Sequence, residues 1–172
     1  MRHITSTRTN MAITPKFTQS QVEAKFDRFL AVVEKQQIER LQRLGEMCGK
    51  HARLLPPEVG FTDRTGHLRS SIGYTVFKDG VALHENYEVV MGASEGVRKA
   101  KELAQQIAVD QPGLLLVVVA GMNYAAALEA GGAWKLKSRR GYDVLASAEI
   151  LAEVELPKML KELADNINKA VK

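Results

Sequence analysis

The chain has 172 residues, 45% of them hydrophobic and 26% charged. That length suits one domain better than two, because small domains bury too little surface to be stable alone, and the apolar fraction excludes wholesale disorder. The formal net charge is +4, from 24 Lys and Arg against 20 Asp and Glu. So mild an excess excludes binding to nucleic acid through bulk charge and leaves only a local basic patch to look for.

Aromatic residues make up 6% of the chain, with one Trp. The core is therefore expected to be built from Leu, Val, Ile and Ala. Cys48 is the only cysteine, so no intramolecular disulfide can form, which fits a reducing compartment. It lies among apolar helical positions and reads as a small buried hydrophobe rather than a reactive thiol. Residues 1–10 are polar and lack the apolar segment of a secretory signal. The longest apolar run, residues 114–121, is far shorter than the ~20 residues a membrane span needs. A cytoplasmic chain with no membrane partner is expected, unless a larger particle carries it out.

Residues 1–17 are rich in Thr and Arg, have no apolar period and read as a flexible N-terminal arm, within which Met11 is an alternative start to Met1. Residues 18–172 read as a single α+β domain. Ser20 and Glu23 form an S-x-x-E capping box, which predicts a helix over about 21–54. Val22, Phe26, Phe29, Leu30 and Val33 recur at helical steps, and Leu41, Leu44, Met47 and Cys48 continue them. The stripe shifts near Gln36 to Ile38, where a bend or a change of packing partner is expected. At 1.5 Å per residue such a helix is roughly 50 Å long, too long for its own domain. Either it breaks or part of it packs on another subunit. Pro56 and Pro57 end it.

Residues 62–72 predict a short helix capped by Thr65. Ile72, Tyr74 and Val76 then alternate with Gly73, Thr75 and Phe77 as a strand with one buried face. Asp79-Gly80 is a tight-turn signal, and Val81 starts a return strand. His84-Glu85-Asn86 reads as a break before a further strand with Tyr87, Val89 and Met91 alternating. Ser94 is expected to cap a helix over 94–109, with Val97, Ala100, Leu103, Ala104 and Ile107 as its apolar stripe, ended by Pro112-Gly113. Residues 114–120 are wholly apolar and read as the central, doubly covered strand. Asn123 is expected to cap a short helix closed by Gly131-Gly132. After a loop over 133–142, a last helix is expected from about Ser147, with Pro157 marking a kink or a junction. The fold class is thus α+β: a long N-terminal helix, a small mostly antiparallel sheet flanked by helices, and a C-terminal helix.

Catalytic chemistry is not legible. The four His residues, His3, His51, His67 and His84, have no partner at metal-ligand spacing, and His67 with Asp63 lacks a third ligand. Gly121-Met122-Asn123 supplies one glycine where a nucleotide fingerprint needs several. Ser70 and Ser71 lack a nucleophile elbow. Glu149, Glu153 and Glu155 read as a solvated helix face. No enzyme, metal or cofactor is expected. The one basic patch is Trp134-Lys135-Leu136-Lys137-Ser138-Arg139-Arg140-Gly141. Trp134, Lys135, Lys137, Arg139 and Arg140 are candidate contacts to a partner or to DNA phosphates. A solvent-exposed loop with Trp134 anchored on the body or on a partner is the favoured reading.

Three stretches together carry a family resemblance. Asp63-Arg64-Thr65-Gly66-His67-Leu68-Arg69-Ser70-Ser71-Ile72 has an R/D-T-G-x-L-x-x-S-I form. Met122-Asn123-Tyr124-Ala125-Ala126-Ala127-Leu128-Glu129-Ala130-Gly131 has a Y-A-x-x-x-E-x-G form. Gly141-Tyr142-Asp143-Val144-Leu145 precedes the last helix. In this order they resemble the tail-completion, or head–tail joining, proteins of long-tailed bacteriophages; the helix over 94–109 is an addition to that pattern. The resemblance implies a structural protein of the virion neck, assembled in the host cytoplasm. It would act as a homo-oligomeric ring, six copies favoured over twelve. Its partners would be the head connector or adaptor proteins and the tail tube or tail terminator, with packaged DNA a further candidate contact. The family-motif and interface candidates are Arg64, Thr65, Gly66, Leu68, Ile72, Tyr124, Leu128, Glu129, Gly131 and Tyr142. The alternatives are a minor tail protein outside the neck and a small cytoplasmic nucleic-acid-binding module.

Overall fold

In a computed structural model, residues 16–56, 61–62, 64–130 and 143–170 are described. By its internal contacts the chain divides into two compact units, residues 1–34 and 35–172. The first helix, α1 (Gln19–Leu54), contributes to both. Its cap lies two residues earlier than the S-x-x-E pattern suggests. Thr18 Oγ1 accepts the Gln21 N–H (3.3 Å), and Gln21 Oε1 accepts the Thr18 N–H (3.0 Å). This is the reciprocal pair of a capping box, built by Thr18 and Gln21 in place of Ser20 and Glu23. The 36 residues form one helical element, with no break at Gln36 to Ile38. Straight-chain residues dominate it, and it stops at Leu54, just before Leu55 and Pro56, where proline disfavours helical geometry in the residue before it.

In the second unit, α2 (His67–Ser70) leads into a three-stranded antiparallel sheet of order β2-β1-β3. The strands are β1 (Ile72–Lys78), β2 (Val81–Tyr87) and β3 (Leu114–Ala120), and α3 (Ser94–Ala108) lies between the second and third in sequence. A short helix, α4 (Ala125–Glu129), and the long α5 (Val144–Ala170) complete the chain. The fold is α+β, with the elements in the expected order. The Asp79-Gly80 hairpin is present. Both residues have positive φ, 50° and 77°, as a two-residue primed turn requires.

Four expectations about the sheet region are corrected. The central strand is β1, buried along nearly its whole length on both faces, and β3 lies at an edge. His84, Glu85 and Asn86 do not break the chain but continue β2. Tyr87 ends that strand, so no separate strand forms through Val89 and Met91. Along α3 the buried face is Gly96, Ala100, Ala104 and Ala108, while Ile107 is exposed. Small residues at every fourth position let α3 lie close to the sheet and to α2. A Cβ on Gly96 would fall 2.2 Å from the His67 carbonyl oxygen.

Both faces of the sheet are covered. Phe77, Val117 and Val119 pack under the small-residue face of α3. On the other face, Ile72 joins Leu44, Cys48 and Ala52 of α1, Leu68 of α2, and Val144, Ala148 and Met159 of α5. Gly45 of α1 makes room for Tyr74, which is fully buried; a Cβ on Gly45 would lie 2.3 Å from Tyr74 Cδ2. Arg40 Nε donates to the Met159 carbonyl (3.1 Å) and ties α1 to α5. α5 starts at Val144, before the expected Ser147, and runs through Pro157 as one element. Proline lacks the N–H that would bond to Glu153, and the helix is held there by packing on the core rather than by that bond.

Candidate functional site

The first motif builds the corner between α2 and the sheet. Gly66 is the N-cap of α2 with φ 76°, and a Cβ there would lie 2.2 Å from the Val90 carbonyl oxygen. Only glycine meets both conditions without strain. Thr65, expected to cap, is exposed and is not the N-cap; so is Arg64 exposed. Leu68 and Ile72 are buried in the same core cluster, as their spacing suggests. The serines are structural clamps. Ser70 Oγ accepts the Val90 N–H (2.7 Å) and donates to the Val90 carbonyl (3.2 Å), which pins the segment after β2. Ser71 Oγ donates to the Leu68 carbonyl (2.7 Å) and closes α2. Arg69 stacks its guanidinium 5.7 Å from the centre of the Phe61 ring, and His67 Nδ1 lies 3.8 Å from a Glu95 carboxylate oxygen.

The second motif builds the junction between α4 and α5. Tyr124 is the N-cap of α4, in place of Asn123, and remains 40% exposed. Leu128 packs against the core. Glu129 has a definite task. Its Oε1 accepts the Ala146 N–H at 2.8 Å, in the first turn of α5. A carboxylate there satisfies an amide that has no partner within the helix and meets the positive end of the helix dipole. Ser147 Oγ donates to the Val144 carbonyl (2.9 Å) and lies 3.1 Å from His51 Nε2. Gly131, Tyr142, Asp63 and the loop carrying Trp134, Lys135, Lys137, Arg139 and Arg140 lie outside the described residues.

A polar cluster that the sequence reading passed over joins α1 to β2. Glu46 Oε1 accepts from the Tyr74 hydroxyl (2.9 Å) and from Asn86 Nδ2 (2.7 Å). Burial and the neighbouring Glu46 carboxylate push the Tyr74 phenol well above the ordinary tyrosine range. Burial also raises the Tyr87 phenol, whose hydroxyl lies 2.9 Å from Thr75 Oγ1. Arg53, almost buried, pairs with the exposed Glu88 at 3.6 Å. Gly45, a glycine inside a helix, was the available signal for this cluster, since it marks a close approach. Cys48 is buried, with Sγ 3.5 Å from the Ala148 carbonyl, and burial raises its thiol pKa. No group of three or more His, Cys, Asp or Glu among the described residues can hold a metal ion. No described helix is long and apolar enough to cross a membrane.

Large apolar side chains are exposed in the first unit. On α1, Val22, Phe26, Leu30 and Val32 are each about half exposed or more, and Phe17 before the helix is 62% exposed. Val22, Phe26 and Leu30, at four-residue steps, share one side of the helix, and Val32 lies on another. Comparison with protein-family models, curated proteins and solved structures found no match.

Proposed function

We propose that this chain is a structural virion protein that joins a phage head to its tail, acting by assembly as a ring-forming adaptor and not by catalysis. The observation that carries this reading is the exposed apolar stripe Val22, Phe26 and Leu30 on α1. An apolar stripe at helical spacing is the means by which one helix docks on another protein. The motif residues support it further. Gly66, Leu68, Ile72 and Glu129 fix backbone and pack core, as a scaffold needs, and do not converge on a reacting centre. In a ring each subunit offers one surface to the next, and rotation closes the set.

The test is imaging of purified particles encoded with this chain, with the chain located in them. A ring at the junction of head and tail is the expected result. A position elsewhere along the tail gives the minor-tail alternative, and absence from particles overturns the proposal. Salt-dependent DNA binding by the isolated monomer, lost when Lys137, Arg139 and Arg140 are replaced by Ser, favours the nucleic-acid-binding alternative.

A further inference from the structure

β3 is an edge strand, and the bonds at its two ends fix which of its residues pair with β1. Gly121 N–H donates to the Ser71 carbonyl (3.1 Å), and Asp79 N–H donates to the Gly113 carbonyl (2.9 Å). In the observed register, Leu115, Val117 and Val119 are in step with those two pairs. Bonded pairs recur at every second residue of an antiparallel ladder. The backbones of Leu115, Val117 and Val119 therefore bond to β1. Those of Leu114, Leu116 and Val118 turn their N–H and C=O groups to the opposite side, where no strand of the described residues lies. Such groups call for hydrogen-bond partners, and a bare edge is a template for another strand. Edges are commonly blunted by charges, proline or bulges. β2 has a bulge in its pairing with β1 and carries Glu85, whereas β3 reads Leu-Leu-Leu-Val-Val-Val-Ala.

Beside the bare edge is a cavity of about 700 Å³ whose walls include Leu41 and Leu44 of α1, Leu116 and Val118 of β3, and Leu145 and Leu156 of α5. Glu149 of α5 also lines it, is exposed, and has no ion-pair partner among the described residues. We infer that the β3 edge and this cavity form a strand-addition site for an extended segment of a partner protein. That segment has apolar side chains at alternate positions and a basic residue set against Glu149. Its backbone pairs with Leu116 and Val118, its apolar side chains enter the cavity from every second position, and its cation meets the Glu149 carboxylate. A fatty acyl chain fills an apolar cavity equally well but leaves the outward amides unpaired. The inference rests on the assembly reading only in taking the strand from another protein.

The full-length chain is titrated with an eight-residue peptide of alternating valine and threonine, its terminal valine replaced by lysine so that the cation lies on the cavity-facing side with Glu149, and followed by amide NMR. The expected result is that the Leu116 and Val118 amides shift and become protected from exchange. N-methylation of the peptide nitrogens that face β3 removes two or more hydrogen bonds and should weaken binding about tenfold or more. Glu149→Lys should weaken binding of the lysine peptide several-fold and leave the version that keeps the terminal valine unchanged. Because Glu149 is exposed, that variant keeps its fold. Absence of shifts at millimolar peptide overturns the inference, as does equal affinity of the N-methylated peptide or exclusive binding of decanoate at the cavity. Peptide binding by a chain that is absent from particles leaves the strand site standing and removes the head–tail reading; a ring in particles with no peptide binding does the reverse.

Discussion

Tyr74 shows how one side chain sets the identity of residues far from it in sequence. Its ring needs the space that Gly45 leaves, and its hydroxyl meets Glu46 on the same helix. Replacing Gly45 with Ala drives a methyl group into a fully buried ring. Overpacking of this kind costs ~1–3 kcal/mol, so a urea-unfolding midpoint unchanged by Gly45→Ala contradicts the packing described. The same tyrosine makes stability depend on pH. Its phenol pKa lies above the usual value in the folded chain, so the folded state holds the proton more tightly than the unfolded one. That contribution is whole below about pH 10 and is lost as the pH rises beyond it. Wild-type stability should therefore fall more steeply between about pH 9 and pH 11 than that of Tyr74→Phe, measured by urea unfolding. Equal slopes contradict it.

Among the elements, α5 depends on α4 for its start. Glu129→Gln keeps the shape and an acceptor but removes the charge from the helix end; Glu129→Ala removes both. Losses of up to ~1 kcal/mol and of about 1–2 kcal/mol are expected, in that order, from thermal unfolding. Equal stability of all three chains leaves the cap without weight. This role was not legible from sequence, because Glu129 caps a helix that begins across a loop, and no local spacing encodes that pairing. The Asp79-Gly80 hairpin and the buried pair Leu68 and Ile72 were legible, since each follows from local turn chemistry or helical spacing. The strand order was misread for a physical reason. A wholly apolar run reports that both faces are covered, and β3 is indeed packed on both, but it says nothing about lateral neighbours. Conversely Gly73 and Thr75 made β1 look half exposed. The Tyr87 ring lies over Gly73, and its hydroxyl meets Thr75, so that face is covered as well.

At the scale of the whole molecule, α1 carries the exposed stripe Val22, Phe26 and Leu30. Because these side chains are not core, the double substitution Phe26→Lys with Leu30→Lys should leave subunit stability within about 0.5 kcal/mol. It should abolish self-association or incorporation into particles, read by sedimentation and by particle composition. A large loss of stability with assembly intact would show that the stripe is buried within the subunit. The most direct measurement is electron cryomicroscopy of virions whose genome encodes this chain, with the chain traced in the density. The account predicts a closed ring of copies between head and tail, with the exposed stripe of α1 against a neighbouring protein. Particles complete in head and tail but lacking the chain would contradict it.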